Sequence, residues 1–212
     1  MPVGVKICGI TDATGFDTAA QAGARWIGFV FFERSPRNIA PRAAAALSAR
    51  MTGGPERIGL FVKPDDIAIE RVLDTVPLDG LQVYAPQQRA MEIRQRFGLP
   101  VWRAVGIESR ADLPVHAAPD RLVIESRPPA GSTRPGGNAR QFDWSLTQGW
   151  KSPVPWMLAG GLTPENVGRA IALSGAEAVD VSSGVESAPG VKSAALIRAF
   201  IAAASGVPTP QG

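Results

Sequence analysis

Val5-Lys6-Ile7-Cys8-Gly9-Ile10-Thr11-Asp12 is a short apolar strand that breaks at a glycine and runs into a helix. Side chains alternate across a strand, so Lys6 and Cys8 share one face while Val5 and Ile7 share the other. With Val5 and Ile7 packed outward against helices, Lys6 and Cys8 point into the middle of a sheet. Cys8 then ends the strand at its carboxyl end, where ligands bind in parallel α/β architectures. Two readings stand for this residue, the single cysteine of the chain. It is either a small buried core thiol or a reactive group at a site.

The same strand–turn–helix pattern repeats along the chain. Apolar strands are expected at 26–31, 57–62, 79–84, 100–105, 121–126, 155–159 and 178–182. Helices are expected between them. Thr11 is placed to cap the first, which stops at Gly23. Pro41 opens the second, and Thr163 with Pro164 opens the one after the seventh strand. Ser109 starts a short helix carrying His116, and the last helix runs from Lys192 to Ala204. Eight units of this kind predict a single (β/α)8 barrel over residues 1–205, with 206–212 as a flexible tail. An open doubly wound sheet is the competing architecture. The first strand lacks the Gly-x-Gly-x-x-Gly fingerprint of that class.

Composition narrows the function. The chain has 212 residues, a net charge of +3 and 45% hydrophobic residues, with a mean hydropathy of +0.03. The charge is too small and too scattered for nucleic-acid binding. No apolar run is long enough to span a bilayer, and no export signal opens the chain. One cysteine excludes an internal disulfide and suits the cytoplasm. One histidine and one cysteine argue against a metal site of those ligands.

The residues that bear chemistry gather at strand ends. Gly160-Gly161 follows the seventh strand and Ser182-Ser183-Gly184 the eighth, the two positions where such barrels bind phosphate through backbone N–H groups. Ordinary turns are the plain alternative. Gly136 and Gly137, in the long loop 127–139, are placed to close over the same ligand, or simply to be flexible. Asp180 shares a face with Ser182 and is positioned to pair with Lys6 beneath Cys8, as support or as a ligand contact. Lys6 is expected to favour the Cys8 thiolate, which makes Cys8 a base. Glu125 ends the sixth strand and is an acid if burial raises its pKa, or else a solvated rim carboxylate. Arg34 or Arg37 can fork onto a carboxylate. Gln82 and Tyr84 end the fourth strand and are candidates for the pocket wall. His116 reads as surface, and Phe142 and Trp144 as packing.

Taken together, Lys6-Ile7-Cys8-Gly9-Ile10-Thr11, Ser35-Pro36-Arg37, Gly136-Gly137-Asn138 with Phe142-Asp143-Trp144, Ala159-Gly160-Gly161-Leu162 and Asp180-Val181-Ser182-Ser183-Gly184-Val185-Glu186 resemble the phosphoribosylanthranilate isomerase family. The match runs in order over residues 3–203. The resemblance implies a cofactor-free barrel enzyme of tryptophan biosynthesis, monomeric or homodimeric, acting on a small phosphoribosyl substrate by an Amadori rearrangement. It implies Cys8 as general base, Glu125 as general acid, Arg37 on the anthranilate carboxylate, and Gly161, Ser183 and Gly184 in the phosphate loops. The family usually has aspartate where Glu125 stands, Gln-Leu-His-Gly where Gln82-Val83-Tyr84-Ala85 stands, and glycine at Ala139. Two alternatives stay open: the related aminoaldose isomerase of histidine biosynthesis, and an impaired barrel that only binds phosphosugars.

Overall fold

A computed structural model describes residues 2–116, 119–128 and 141–206. Eight parallel strands close into a barrel in chain order. They are β1 (Gly4–Cys8), β2 (Trp26–Phe31), β3 (Glu56–Val62), β4 (Gly80–Tyr84), β5 (Val101–Ile107), β6 (Arg121–Ser126), β7 (Trp156–Leu158) and β8 (Ala178–Val181). The ring shuts where Lys6 stands opposite Asp180 on β8, while Cys8 stands opposite Gly28 on the other flank. The helices are α1 (Ala13–Gln21), α2 (Pro41–Ser48), α3 (Asp66–Leu73), α4 (Gln87–Phe97), α5 (Val167–Ser174) and α6 (Ala194–Ala204). Among the described residues, the β5–β6 and β6–β7 connections carry single 3₁₀ turns, Arg110–Asp112 and Trp144–Thr147.

Alternation along each strand sorts side chains into two cores. Ile7, Ile27, Phe29, Phe61, Leu81, Val83 and Val179 face outward and meet Phe16, Ile69, Ile93, Ile197 and Phe200 from the helices. Fully burying each such side chain contributes about 1.5–3 kcal/mol. The inward residues stack in layers. Trp26 and Trp102 cross edge-to-face at 5.4 Å at the amino end of the barrel, beside Ile58, Val123 and Met157. Arg121 lies over both indoles. Cys8, Val30 and Leu60, with Phe32, Val62 and Tyr84 against them, form the layer at the carboxyl end.

Several expected boundaries move. Asp12, not Thr11, caps α1, its carboxylate accepting from the Gly15 N–H at 2.8 Å. The Thr11 hydroxyl donates instead to the Gly190 carbonyl. α5 begins at Val167 because Pro164-Glu165-Asn166 form a turn. There the Asn166 side chain accepts from the Thr163 N–H and donates to the Gly161 carbonyl. The segment after Ser109 is only a capped 3₁₀ turn, and the exposed His116 lies outside it. α6 begins at Ala194 under a Ser193 cap. Lys192 belongs instead to a hairpin of β9 (Glu186–Ala188) and β10 (Val191–Lys192). The expected tail, from 207 onward, lies outside the described residues.

Candidate active site

One cavity opens at the carboxyl ends of the strands, roughly 700 Å³ with its mouth included. Cys8, Arg37, Tyr84, Glu125, Gly160, Gly161, Asp180, Ser182 and Ser183 all line it. Strand alternation delivers four of them: Cys8 is the last residue of β1, Tyr84 the last of β4, Glu125 sits near the end of β6 and Asp180 near the end of β8, while the loops after β2, β7 and β8 bring the rest. Val30, Phe32, Leu60 and Val62 give one wall an apolar face. The geometry therefore brings together a thiol, a carboxyl, a guanidinium, a Gly-Gly turn and a Ser-Ser turn.

The floor of the site is an ion pair. Lys6 is fully buried, and its Nζ donates to Asp180 Oδ1 at 3.0 Å. Burial alone would lower the Lys6 pKa, but the Asp180 charge and the neighbouring Cys8 more than offset it and hold the ammonium protonated. Lys6 supports the lining residues and does not line the cavity itself. The glycine at 28 makes this possible, since a Cβ there would stand 2.9 Å from Cys8 Sγ and 3.2 Å from Lys6 Cε.

The expected effect of Lys6 on Cys8 is outweighed. Burial pushes the Cys8 thiol up from its ordinary value, and the opposing Lys6 charge recovers only part of that shift. Cys8 is therefore held as a thiol near neutral pH. Glu125 is not a solvated rim carboxylate: it is 5% exposed and burial pushes it up to about 8. A hydrogen bond from Tyr84 works the other way, favouring the carboxylate. Glu125 Oε1 has no hydrogen-bond partner among the described residues, so the carboxyl keeps an uncommitted oxygen.

Arg37, not the exposed Arg34, reaches the cavity. Gln82 faces inward at 1% exposure with its Oε1 unpartnered, but it does not line the cavity. Gly184 does not line it either. Its backbone packs so tightly under the β7 loop that a Cβ there would fall 1.8 Å from the Leu162 carbonyl oxygen. Gly136 and Gly137 lie outside the described residues.

Two side chains beside the site were given no role from sequence. Glu186 holds Arg37 through paired bonds of 2.7 and 2.8 Å, and Lys192 donates to the same carboxylate at 2.7 Å. Glu186 closes the last of the quoted motifs, which was the available signal. Lys192 carried none, because its two-residue strand reads as a helix start. Among the described residues no group of three or more His, Cys, Asp or Glu is arranged to hold a metal ion. Among the described residues, likewise, no helix is long and apolar enough to cross a membrane.

Comparison with known proteins agrees with the geometry. The sequence model of the family described as PRAI, N-(5'phosphoribosyl)anthranilate (PRA) isomerase, matches residues 5–203. The N-(5'-phosphoribosyl)anthranilate isomerase of Acidiphilium cryptum is 54% identical over 200 residues, covering 94% of this chain and 97% of that protein. The protein of the same name from Paracoccus denitrificans is 50% identical over 211 residues, covering 97% and 98%. Among solved structures, phosphoribosyl anthranilate isomerase from Thermotoga maritima superposes with a TM-score of 0.83 at 33% identity, covering 97% of this chain and 100% of that one. A complex of phosphoribosyl anthranilate isomerase with reduced 1-(o-carboxyphenylamino)-1-deoxyribulose 5-phosphate gives 0.82, also at 33% identity, with the same coverage. A closed barrel, a thiol and a carboxyl sharing one cavity, and a match over nearly the full length thus converge: this chain belongs to the N-(5'-phosphoribosyl)anthranilate isomerase family.

Proposed function

We propose that the chain isomerises N-(5-phosphoribosyl)anthranilate to 1-(2-carboxyphenylamino)-1-deoxyribulose 5-phosphate, the Amadori step of tryptophan biosynthesis, and that it does so in the cytoplasm as a monomer or homodimer. The observation that carries this reading is the shared cavity of Cys8 and Glu125. Glu125 donates its proton to the furanose ring oxygen as the C1–O bond breaks, leaving an iminium between C1 and the anthranilate nitrogen. Cys8 then takes the proton from C2. The electron pair moves into an enolamine, which becomes the ketone by proton return. No atom is gained or lost overall.

Arg37 holds the anthranilate carboxylate, a planar fork on a planar acid. The aromatic ring lies against the apolar wall of Val30, Phe32 and Leu60. Gly160, Gly161, Ser182 and Ser183 hold the phosphate, with Gly184 shaping that loop and Gly136 and Gly137 as candidates to cover it. Asp180 and Lys6 keep the floor in place, with Gln82 beside them. The histidine-pathway substrate is not favoured, since the relatives matched are isomerases of phosphoribosylanthranilate.

The test is the loss of fluorescence of freshly made phosphoribosylanthranilate on adding the purified chain. Turnover is expected from the wild type. Cys8→Ala is expected to abolish it while substrate affinity persists, because anchor and proton-transfer group are separate. Full activity in Cys8→Ala overturns the base assignment.

A further inference from the structure

Arg37 meets Glu186 side-on. Its Nε donates to Oε1 at 2.7 Å and its Nη2 to Oε2 at 2.8 Å. A guanidinium has two such faces, and this contact uses only one. Among the described residues the end-on face, Nη1 with the second hydrogen of Nη2, has no hydrogen-bond partner and suits another planar acid. Glu186 is itself fixed on every side. Lys192 Nζ donates to Oε1 at 2.7 Å and the Gly190 N–H to Oε2 at 3.2 Å. All three charged side chains are nearly inaccessible, at 7% for Arg37, 4% for Glu186 and 0% for Lys192. Of the three, only Arg37 lines the cavity.

The charges explain the third member. An isolated Arg37–Glu186 pair is neutral and offers an anion little attraction. Burial lowers the Lys192 pKa and the Glu186 carboxylate opposes that shift; as an ammonium paired to Glu186 at 2.7 Å, Lys192 gives the cluster a net charge of +1. The same ammonium donates to the Ser182 carbonyl at 3.0 Å, and the Ser182 hydroxyl donates to the Cys8 carbonyl at 3.0 Å. The hairpin after β8 thereby fixes a residue of the loop after β2, 149 positions away in sequence.

We infer that Glu186 and Lys192 are positioning residues for the carboxylate of the substrate: Glu186 aims the free face of Arg37 into the cavity, and Lys192 keeps the cluster cationic. This rests on the proposed function and extends it from Arg37 to the hairpin. A purely structural clasp would steady the loop whatever the substrate carries. An aiming device matters only when a carboxylate is present.

The test compares two substrates, N-(5-phosphoribosyl)anthranilate and N-(5-phosphoribosyl)aniline, which lacks the carboxylate. The quantity read is the ratio of kcat/KM between them, in which any loss of correctly folded enzyme cancels. Glu186→Gln is expected to lower that ratio about tenfold, mainly through KM on the carboxylated substrate. Glu186→Asp is expected to recover part of it. Lys192→Met, which keeps the aliphatic stem, is expected to lower the ratio as well. Ratios equal to wild type in both Glu186→Gln and Lys192→Met overturn the inference while leaving the proposed function intact. A wild type that turns over neither substrate overturns the proposed function and the inference with it.

Discussion

Lys6 and Asp180 face each other across the seam that closes the barrel, Nζ to Oδ1 at 3.0 Å, on strands paired residue for residue. Breaking this pair leaves a buried ammonium with no counter-charge. Asp180→Asn is expected to lower unfolding stability by about 3–5 kcal/mol, the usual cost of orphaning a buried charge. Urea denaturation midpoints measure it. Replacing both residues, as Lys6→Met with Asp180→Leu, is expected to recover a large part of that loss while activity stays absent. A single variant as stable as wild type would show the pair to be idle.

The proposed acid, Glu125, and the proposed base, Cys8, carry protons in an inverted order. Burial pushes Glu125 up to about 8, and Cys8 lies above its ordinary value of 9.0. The productive form, thiolate with carboxylic acid, is a minor one near neutrality. For the free enzyme, kcat/KM is therefore expected to climb as pH rises toward about 8, flatten, and fall only once the thiol itself has titrated. Steady-state kinetics from pH 6 to 10 on a viscosity-controlled series check this. A profile that falls steadily above pH 6 contradicts it.

The same carboxyl is expected to leave a mark on stability. Its folded-state value is raised, so between about 4.5 and about 8 the native chain holds a proton that the unfolded chain has lost. Stability attributable to Glu125 is therefore full below about 4.5 and is lost as pH climbs to about 8. Glu125→Gln removes that dependence. Its unfolding midpoint is expected to approach or exceed that of wild type at pH 8, even though turnover is largely lost.

Tyr84 tunes this acid. Its hydrogen bond favours the carboxylate, so Tyr84→Phe is expected to raise Glu125 further and to move the rising limb of the pH profile upward. The shift read in kcat/KM distinguishes a tuning hydroxyl from a ring that merely fills space. Glu125 and Tyr84 are two departures from the family's usual residues, and here they stand in the same cavity.

Gly28 is the space reserved for Cys8. A methyl group there would stand 2.9 Å from Sγ and 3.1 Å from the Cys8 Cα. Gly28→Ala is expected to cost about 1–3 kcal/mol through overpacking. Because the thiol shifts while the anchors do not, kcat is expected to fall more than KM rises. Unchanged kcat would mean that the sulfur tolerates displacement.

Periodicity carried most of the barrel. β2 and β6 fall at their expected limits, since short apolar runs bounded by polar and turn residues mark buried strands. Cys8, Glu125 and Asp180 were legible because strand alternation fixes a face once the strand is placed. Short-range chemistry was less so. Asp12 caps α1 in place of its neighbour Thr11, a competition decided by one residue of register. The β9–β10 hairpin has strands of three and two residues, too short for any period to show. Lys192 was lost with it, and so was the partner that gives Glu186 its place. The direction of the Cys8 shift was misjudged because sequence names a neighbouring charge but not the depth of the pocket that opposes it.

Trp26 and Trp102, crossed at the amino end of the barrel with Arg121 over both, plug that end with solid aromatic surface. Among the described residues the cavity opens at the opposite rim, so ligand traffic runs through that end. Finished ketone must back out along the path by which the next aminosugar enters. Accumulated product is then a rival for the same vestibule, and inhibition by it should be competitive, with an unchanged maximal rate.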